Sequence, residues 1–354
     1  MAPALVRIGD GAVAAVEGLG PGSGAATRLA GVVVPGLVDL QVNGRGARDV
    51  LEGTVAAVED IASQLPAEGV TSWLPTIVSA PAGARLEAID AIAEAMGRQR
   101  RGLVSGARIL GAHLEGPWIT RARAGAHDPA ALEAPNMLSI EQSLTRRPGV
   151  VRIVTLAPEM SGGLEAVRQI VGHSAVASIG HTDASSDEAL AAISAGVRMA
   201  THLFNAMRPL HHREPGVVGA VLTDPRVVAG VIADGIHLDP STVLLAFRAK
   251  PERVALVSDV VAGERTGGAD AVRLADGTLA GGLSGLLDGV AVAVGAGVMF
   301  EDAIQAATLT PAEVLRVPVG RISPGAPADF VVLDDALRPR ATYLGGKRVW
   351  SDVL

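Results

Sequence analysis

Short runs rich in Val, Ile, Leu and Ala recur along this chain, with room for one helix between each run and the next. Eight stand out: Leu37–Val42, Thr71–Val78, Arg108–Leu114, Val151–Ala157, Ala175–Gly180, Arg198–Leu203, Val227–Ala233 and Arg253–Ser258. Most are apolar throughout rather than alternating, the pattern of strands covered on both faces. Helical patterns fill the gaps, among them Thr54–Leu65 and the Ala-rich Ala82–Arg98. Ser185 with Glu188 reads as a capping box ahead of ALAAIS, and Gly196 as its stop. Asp239 before Pro240 reads as the N-cap and first position of a helix through STVLLAFR. Eightfold strand–helix alternation predicts an α/β fold, a TIM-like (β/α)8 barrel.

The two ends break the pattern. Residues 1–35 and 320–354 carry short strand-like runs around Gly-rich turns, so both termini are expected to pair into a small β-sandwich domain beside a barrel spanning 36–319. Two stretches, Gly116–Pro148 and Ala262–Leu287, read as long irregular loops, which are usually lids or binding loops. No internal repeat is visible at the level of sequence. The 354 residues, 49% hydrophobic, suffice for a large core.

A formal charge of −7 without a long basic run argues against a nucleic-acid partner. The absence of cysteine excludes disulfides and thiolate metal sites. The start, MAPALVRIGD, lacks a basic segment followed by an apolar core, and no run approaches membrane-spanning length. A cytoplasmic protein with no membrane contact is the expectation.

Candidate chemistry falls at the strand ends. Glu115 follows RILGAHL, His181 follows VASIG, His202 follows MAT, and Asp259 follows VALVS. A parallel barrel sends these ends to one face, where its loops build the site. One carboxylate and two imidazoles suit a divalent cation, zinc by default of donor chemistry, with iron or cobalt able to replace it. Asp259 beside them suits a base acting on water polarised by that cation. Each residue also has a plain structural reading: a rim salt bridge for Glu115, hydrogen-bonded core imidazoles for the histidines, a turn cap for Asp259. Occurrence of all four at strand ends favours the metal. His113 is ambiguous: residues i and i+2 share a strand face, so it could support Glu115 from behind. His127 and His237 lie in loops on that face, either solvated or in contact with substrate. The segment THLFNAMRPLHHREPG is basic for so acidic a chain. Asn205, the backbone after it, Arg213 and His237 are candidates for holding an anion, and a solvated loop with Arg208 and Arg213 facing water is the alternative.

The strings PGLVDLQVNG (35–44), GAHLEGPW (111–118), GAHDP (125–129), SIGHTDAS (178–185), THLFNAM (201–207), REPG (213–216), IADGIHLD (232–239) and SDVVAG (258–263), closed by GRISPGAPADFVVLD, occur in this order. Together they resemble the N-acetylglucosamine-6-phosphate deacetylases of the amidohydrolase superfamily over nearly the whole chain. The combination of HLEGP, GHT and THLFNAM is specific; GAPAD with VVLD marks only the wider superfamily. The resemblance implies release of acetate from N-acetylglucosamine 6-phosphate, in amino-sugar catabolism and cell-wall recycling. It implies metal binding by Glu115, His181 and His202, with Asp259 as acid–base. It further implies sugar-phosphate contacts from Asn205, Ala206 (through its backbone N–H), Arg213 and His237, part of the set crossing a homodimer, and a sugar contact from His127. Many superfamily members carry His-x-His after the first strand for a second metal. Gln41 and Asn43 stand there instead, which implies a single metal. Val260–Val261 replaces the usual Ala-Met, and LAGG replaces LAGS, near the expected lid. The alternatives are another amidohydrolase, such as an N-acetylgalactosamine-6-phosphate deacetylase, or a non-catalytic barrel scaffold, which would need none of the four strand-end residues.

Overall fold

A computed structural model describes residues 4–18, 27–263 and 271–352. Eight parallel strands form the barrel wall: β1 (Leu37–Val42), β2 (Val70–Ile77), β3 (Ala112–Glu115), β4 (Val151–Leu156), β5 (Val176–Ile179), β6 (Met199–Ala200), β7 (Val228–Val231) and β8 (Val254–Leu256). Each pairs with its successor in order. A helix follows every strand, from Val55–Gln64 after β1 to Leu286–Gly295 after β8. The expected run Arg108–Leu114 is divided: Arg108–Ile109 pairs with β2, and β3 begins only at Ala112, after Gly111 with φ of 138°. The predicted capping box at Ser185 and Glu188, and the Asp239 cap ahead of Pro240, are both formed.

Both stretches expected to be irregular contain regular structure. The stretch Gly116–Pro148 is not irregular throughout, because Met137–Arg146 is a helix. Asn136 caps it by accepting from the N–H groups of Leu138 and Ser139, and Ile140 and Leu144 are its buried stripe. Its helix packs on Ala82–Arg100 through Arg85, a fully buried guanidinium that donates to Ser143 Oγ (3.1 Å), Ser139 Oγ (2.9 Å) and the Ala80 carbonyl (3.1 Å). Within Ala262–Leu287, the described part holds a hairpin, Ala271–Arg273 with Leu279–Gly282; residues 264–270 lie outside the described residues.

The barrel is packed from below. Val38, Leu40, Leu74, Ile153, Met199 and Val257 stack on Ala312 and Leu315 of the helix Leu309–Leu315. The termini form antiparallel sheets at the side. Val32–Pro35 joins Phe330–Leu333, Pro339–Leu344 and Lys347–Ser351, and the hairpin Ala4–Gly9/Ala12–Gly18 is tied to them by Val13 N–H to Ala326 O at 2.9 Å. Among the described residues, no helix is long and apolar enough to cross a membrane.

The β8–β1 seam closes by a different device. Asp259 N–H donates to Gln41 O (3.0 Å) and Asn43 N–H to Val260 O (2.8 Å). Asp39 Oδ1 accepts from the N–H groups of Gln41 (3.2 Å) and Ser258 (3.3 Å), fastening both strands. Burial pushes the Asp39 carboxyl up to about 7, against hydrogen bonds from Ser258 and Gln41 that lower it. Between the ordinary value of 3.8 and about 7, the folded chain keeps a proton that the unfolded chain has released. The stabilising contribution is therefore full below pH 4 and is lost as pH rises through 7. Asp39→Asn retains an oxygen for both N–H groups and cannot ionise. It is expected to exceed wild type in stability at pH 8 by on the order of a few kcal/mol, with the gain vanishing near pH 4. Urea titrations at both pH values check this, and coincident midpoints at pH 8 would refute it.

Candidate active site

Glu115 ends β3, while His181, His202 and Asp259 lie just past β5, β6 and β8. The last three take left-handed backbone, with φ of 48°, 30° and 49°. That conformation costs an L residue roughly 1–2 kcal/mol and persists only where the surroundings impose it. Here they do: Thr120 N–H holds His181 O (3.1 Å), and Leu203 N–H, next to His202, holds Gly230 O (2.7 Å). Asp259 O is held by Gly282 N–H at 3.2 Å.

The side chains converge. His202 Nε2 lies 2.9 Å and His181 Nε2 3.2 Å from Glu115 Oε1, and the two Nε2 atoms are 3.0 Å apart. All three residues are buried. His181 Nδ1–H donates to the Arg123 carbonyl at 2.9 Å, so in the neutral ring the Nε2 lone pair faces Glu115. Burial raises the Glu115 carboxyl, but the close contacts with the His181 and His202 imidazoles outweigh it and hold the group well below its ordinary range. Three donor atoms crowded around one point suit a divalent cation, and Glu115, His181 and His202 form a cluster of metal-ligating geometry.

Gln41, Asn43 and Asp259 adjoin the cluster. Gln41 Nε2 donates to Glu115 Oε1 (2.9 Å) and to Asp259 Oδ1 (2.8 Å), and Asn43 Nδ2 donates to Asp259 Oδ1 (2.7 Å). Leu40 and Gln41, adjacent on β1, both serve the barrel interior. A regular strand forbids that; the β1–β2 pairing slips between Asp39 and Val42 and re-aims the Gln41 amide. Burial, then the Glu115 charge, raise the Asp259 carboxyl.

His127 sits edge-on to His181, with ring centres 4.4 Å apart. Its Nδ1 accepts from Ser79 N–H (3.2 Å) and lies 2.7 Å from Ser79 Oγ, which places the proton of the neutral ring on Nε2. Burial, then His181, push this imidazole down to about 3, keeping it neutral. His237 Nδ1 meets Asp234 Oδ2 at 2.7 Å, and both side chains are nearly inaccessible beside Gly282. Asn205 and Ala206 lie on the turn after His202, Ala206 with φ of 49°. Arg213 is not brought to the cluster: it is exposed on the turn His211–Glu214, with Nη1 2.8 Å from His212 Nε2. His113 does not bond Glu115. It bridges Leu40 O (3.0 Å) and Thr155 Oγ1 (2.7 Å) one layer below, because alternation places it two residues deeper in the barrel. Burial lowers its imidazole to about 4. Sequence reasoning passed over Asp234, signalled only by its spacing to His237, and Ser79, which carries no signal at all.

The model of the amidohydrolase family matches residues 32–350. The chain belongs to that family. Among amidohydrolases it is similar to the N-acetylglucosamine-6-phosphate deacetylase of Bos taurus, 37% identical over 90% of this chain and 84% of the relative. It also resembles an N-acetylgalactosamine-6-phosphate deacetylase of Escherichia coli O157:H7, 35% identical over 97% of this chain and 93% of the relative. A solved aspartate-to-alanine mutant of the Mycobacterium smegmatis N-acetyl-D-glucosamine-6-phosphate deacetylase, in complex with N-acetyl-D-glucosamine-6-phosphate, superposes with a TM-score of 0.91. It is 34% identical and covers 99% of this chain and 95% of its own. At that coverage the superposition takes in both the barrel and the antiparallel sheets of the termini of this amidohydrolase.

Proposed function

We propose that this amidohydrolase removes the acetyl group of N-acetylglucosamine 6-phosphate, giving glucosamine 6-phosphate and acetate. The observation that carries the reading is the meeting of Glu115, His181 and His202 around one point, with Asp259 tethered beside them. Glu115, His181 and His202 would hold one divalent cation, zinc by donor chemistry, supplying Lewis acidity to the amide carbonyl and to water. Asp259 takes a proton from the attacking water as the water oxygen adds to the acetyl carbon. It then passes that proton to the sugar nitrogen as the C–N bond breaks. Gln41 and Asn43 hold the Asp259 oxygen in line through amide hydrogens, and as neutral amides they leave room for one cation only. His127 offers an Nε2 hydrogen to the sugar or to the developing oxyanion.

Asn205, the Ala206 backbone and His237 would receive the sugar phosphate. Arg213, exposed in a single chain, suits a phosphate contact across a homodimer, and the setting would be cytoplasmic. A second reading, the galactosamine epimer, is favoured by the E. coli relative, whose match covers more of this chain. Acetate release from both 6-phosphates, and from N-acetylglucosamine without phosphate, tests the assignment. The phosphorylated glucosamine substrate is expected to lead in kcat/KM, by at least about 100-fold over the unphosphorylated sugar, since charge-assisted contacts contribute roughly 1.5–3 kcal/mol each. Equal rates on both would remove the phosphate from the proposal.

A further inference from the structure

The rim of the barrel mouth carries a charge bridge that spans three loops. Asp183, in the loop after β5, accepts from Arg123 on the β3 side, Nε at 2.8 Å and Nη2 at 2.7 Å to the same oxygen. Its other oxygen accepts from Arg208 Nη2 at 3.0 Å, on the β6 side. Asp183 is itself fixed, its N–H donating to Glu159 Oε1 at 2.7 Å, while Thr182 Oγ1 donates to Glu159 Oε2 at 2.6 Å. Arg123 matters for another reason: its backbone carbonyl is the acceptor that orients His181.

We propose that Asp183 is a positioning residue: gripping Arg123 and Arg208 together, it holds the Arg123 carbonyl against His181 Nδ1–H and keeps the opposite nitrogen aimed at Glu115 and His202. The proposal rests on the reading of Glu115, His181 and His202 as a cation site. A histidine that can rotate presents its lone pair for only part of the time, and loss of an outer partner typically weakens metal binding 10–100-fold. Asp183 acts one contact further out and is about a third exposed, with its arginines similar, so the solvent-screened bridge has a smaller effect. A three- to tenfold weakening is expected. Arg208 extends the same grip to the turn bearing Asn205 and Ala206, since its own N–H donates to Thr182 O at 3.1 Å and Thr182 N–H donates to Ala206 O at 3.2 Å.

The test measures the dissociation constant for Co²⁺ by chelator competition, together with the absorption spectrum of the cobalt-loaded protein. Asp183→Ala, Asp183→Asn, Arg123→Ala and the Asp183/Arg123 double alanine variant are compared with wild type. Arg123→Ala keeps the carbonyl and removes only its anchor. Each alanine variant is expected to bind three to ten times more weakly, the double variant no worse than either single, with an altered cobalt spectrum. Asp183→Asn should fall between. Glu94→Ala, which breaks the exposed Arg101–Glu94 pair, controls for a general change of charge. Undiminished cobalt binding in Asp183→Ala, or losses that multiply in the double variant, overturn the role of Asp183. A wild-type protein that takes up no cation overturns the metal-site reading and this inference with it.

Discussion

Asp259→Asn is expected to bind its divalent cation in full stoichiometry and to turn over roughly two to four orders of magnitude more slowly than wild type. The asymmetry follows from the contacts. Both amide hydrogens reaching residue 259, from Gln41 and Asn43, go to Oδ1, and asparagine offers an Oδ1 in the same place. The left-handed backbone is likewise held by Gln41 O and Gly282 N–H, which the substitution leaves alone. Shape and cation are kept while proton acceptance is lost. Metal analysis beside acetate release checks both halves. Retained activity would remove Asp259 from the proton transfer; loss of cation would mean that it is a ligand.

Glu115→Gln separates the other half of the site. Glu115 supplies the one formal charge within the cluster, and its Oε1 is the atom on which His181, His202 and Gln41 all converge. The amide is nearly isosteric, so packing around this fully buried position survives. Its oxygen is a weaker donor and carries no charge. Cation affinity should fall by more than about 100-fold, beyond what loss of an outer partner costs, and activity should fall with it. Excess Zn²⁺ or Co²⁺ should restore part of the activity, which a base-only role for Glu115 would not permit. Unchanged affinity in this variant would sink the three-ligand assignment.

Much of this arrangement is legible in the sequence, for a physical reason. Strands buried on both faces print as continuous apolar runs, and a barrel sends the residue after each run to one rim. That is why Glu115, His181, His202 and Asp259 could be grouped although they lie far apart along the chain. What stayed hidden lies off those rules. The Met137–Arg146 helix has a narrow buried stripe, flanked by Pro135 and Pro148, and its best signal, the Asn136 cap, is common in loops too. The Gln41 amide points inward only because β1 slips register, which no periodicity announces. The Arg123 contact is made by a carbonyl, a group every residue has. The role of His113 stays open in the sequence, since a period of two fixes direction and not layer.

The helix Leu309–Leu315 stoppers the barrel's lower end, so the site faces the rim where β3, β5, β6 and β8 end. Incoming sugar and outgoing sugar must therefore share one corridor, and a fresh molecule waits until the spent one has departed. Once bond breaking is fast, the pace of the whole cycle passes to the loops that ring that entrance.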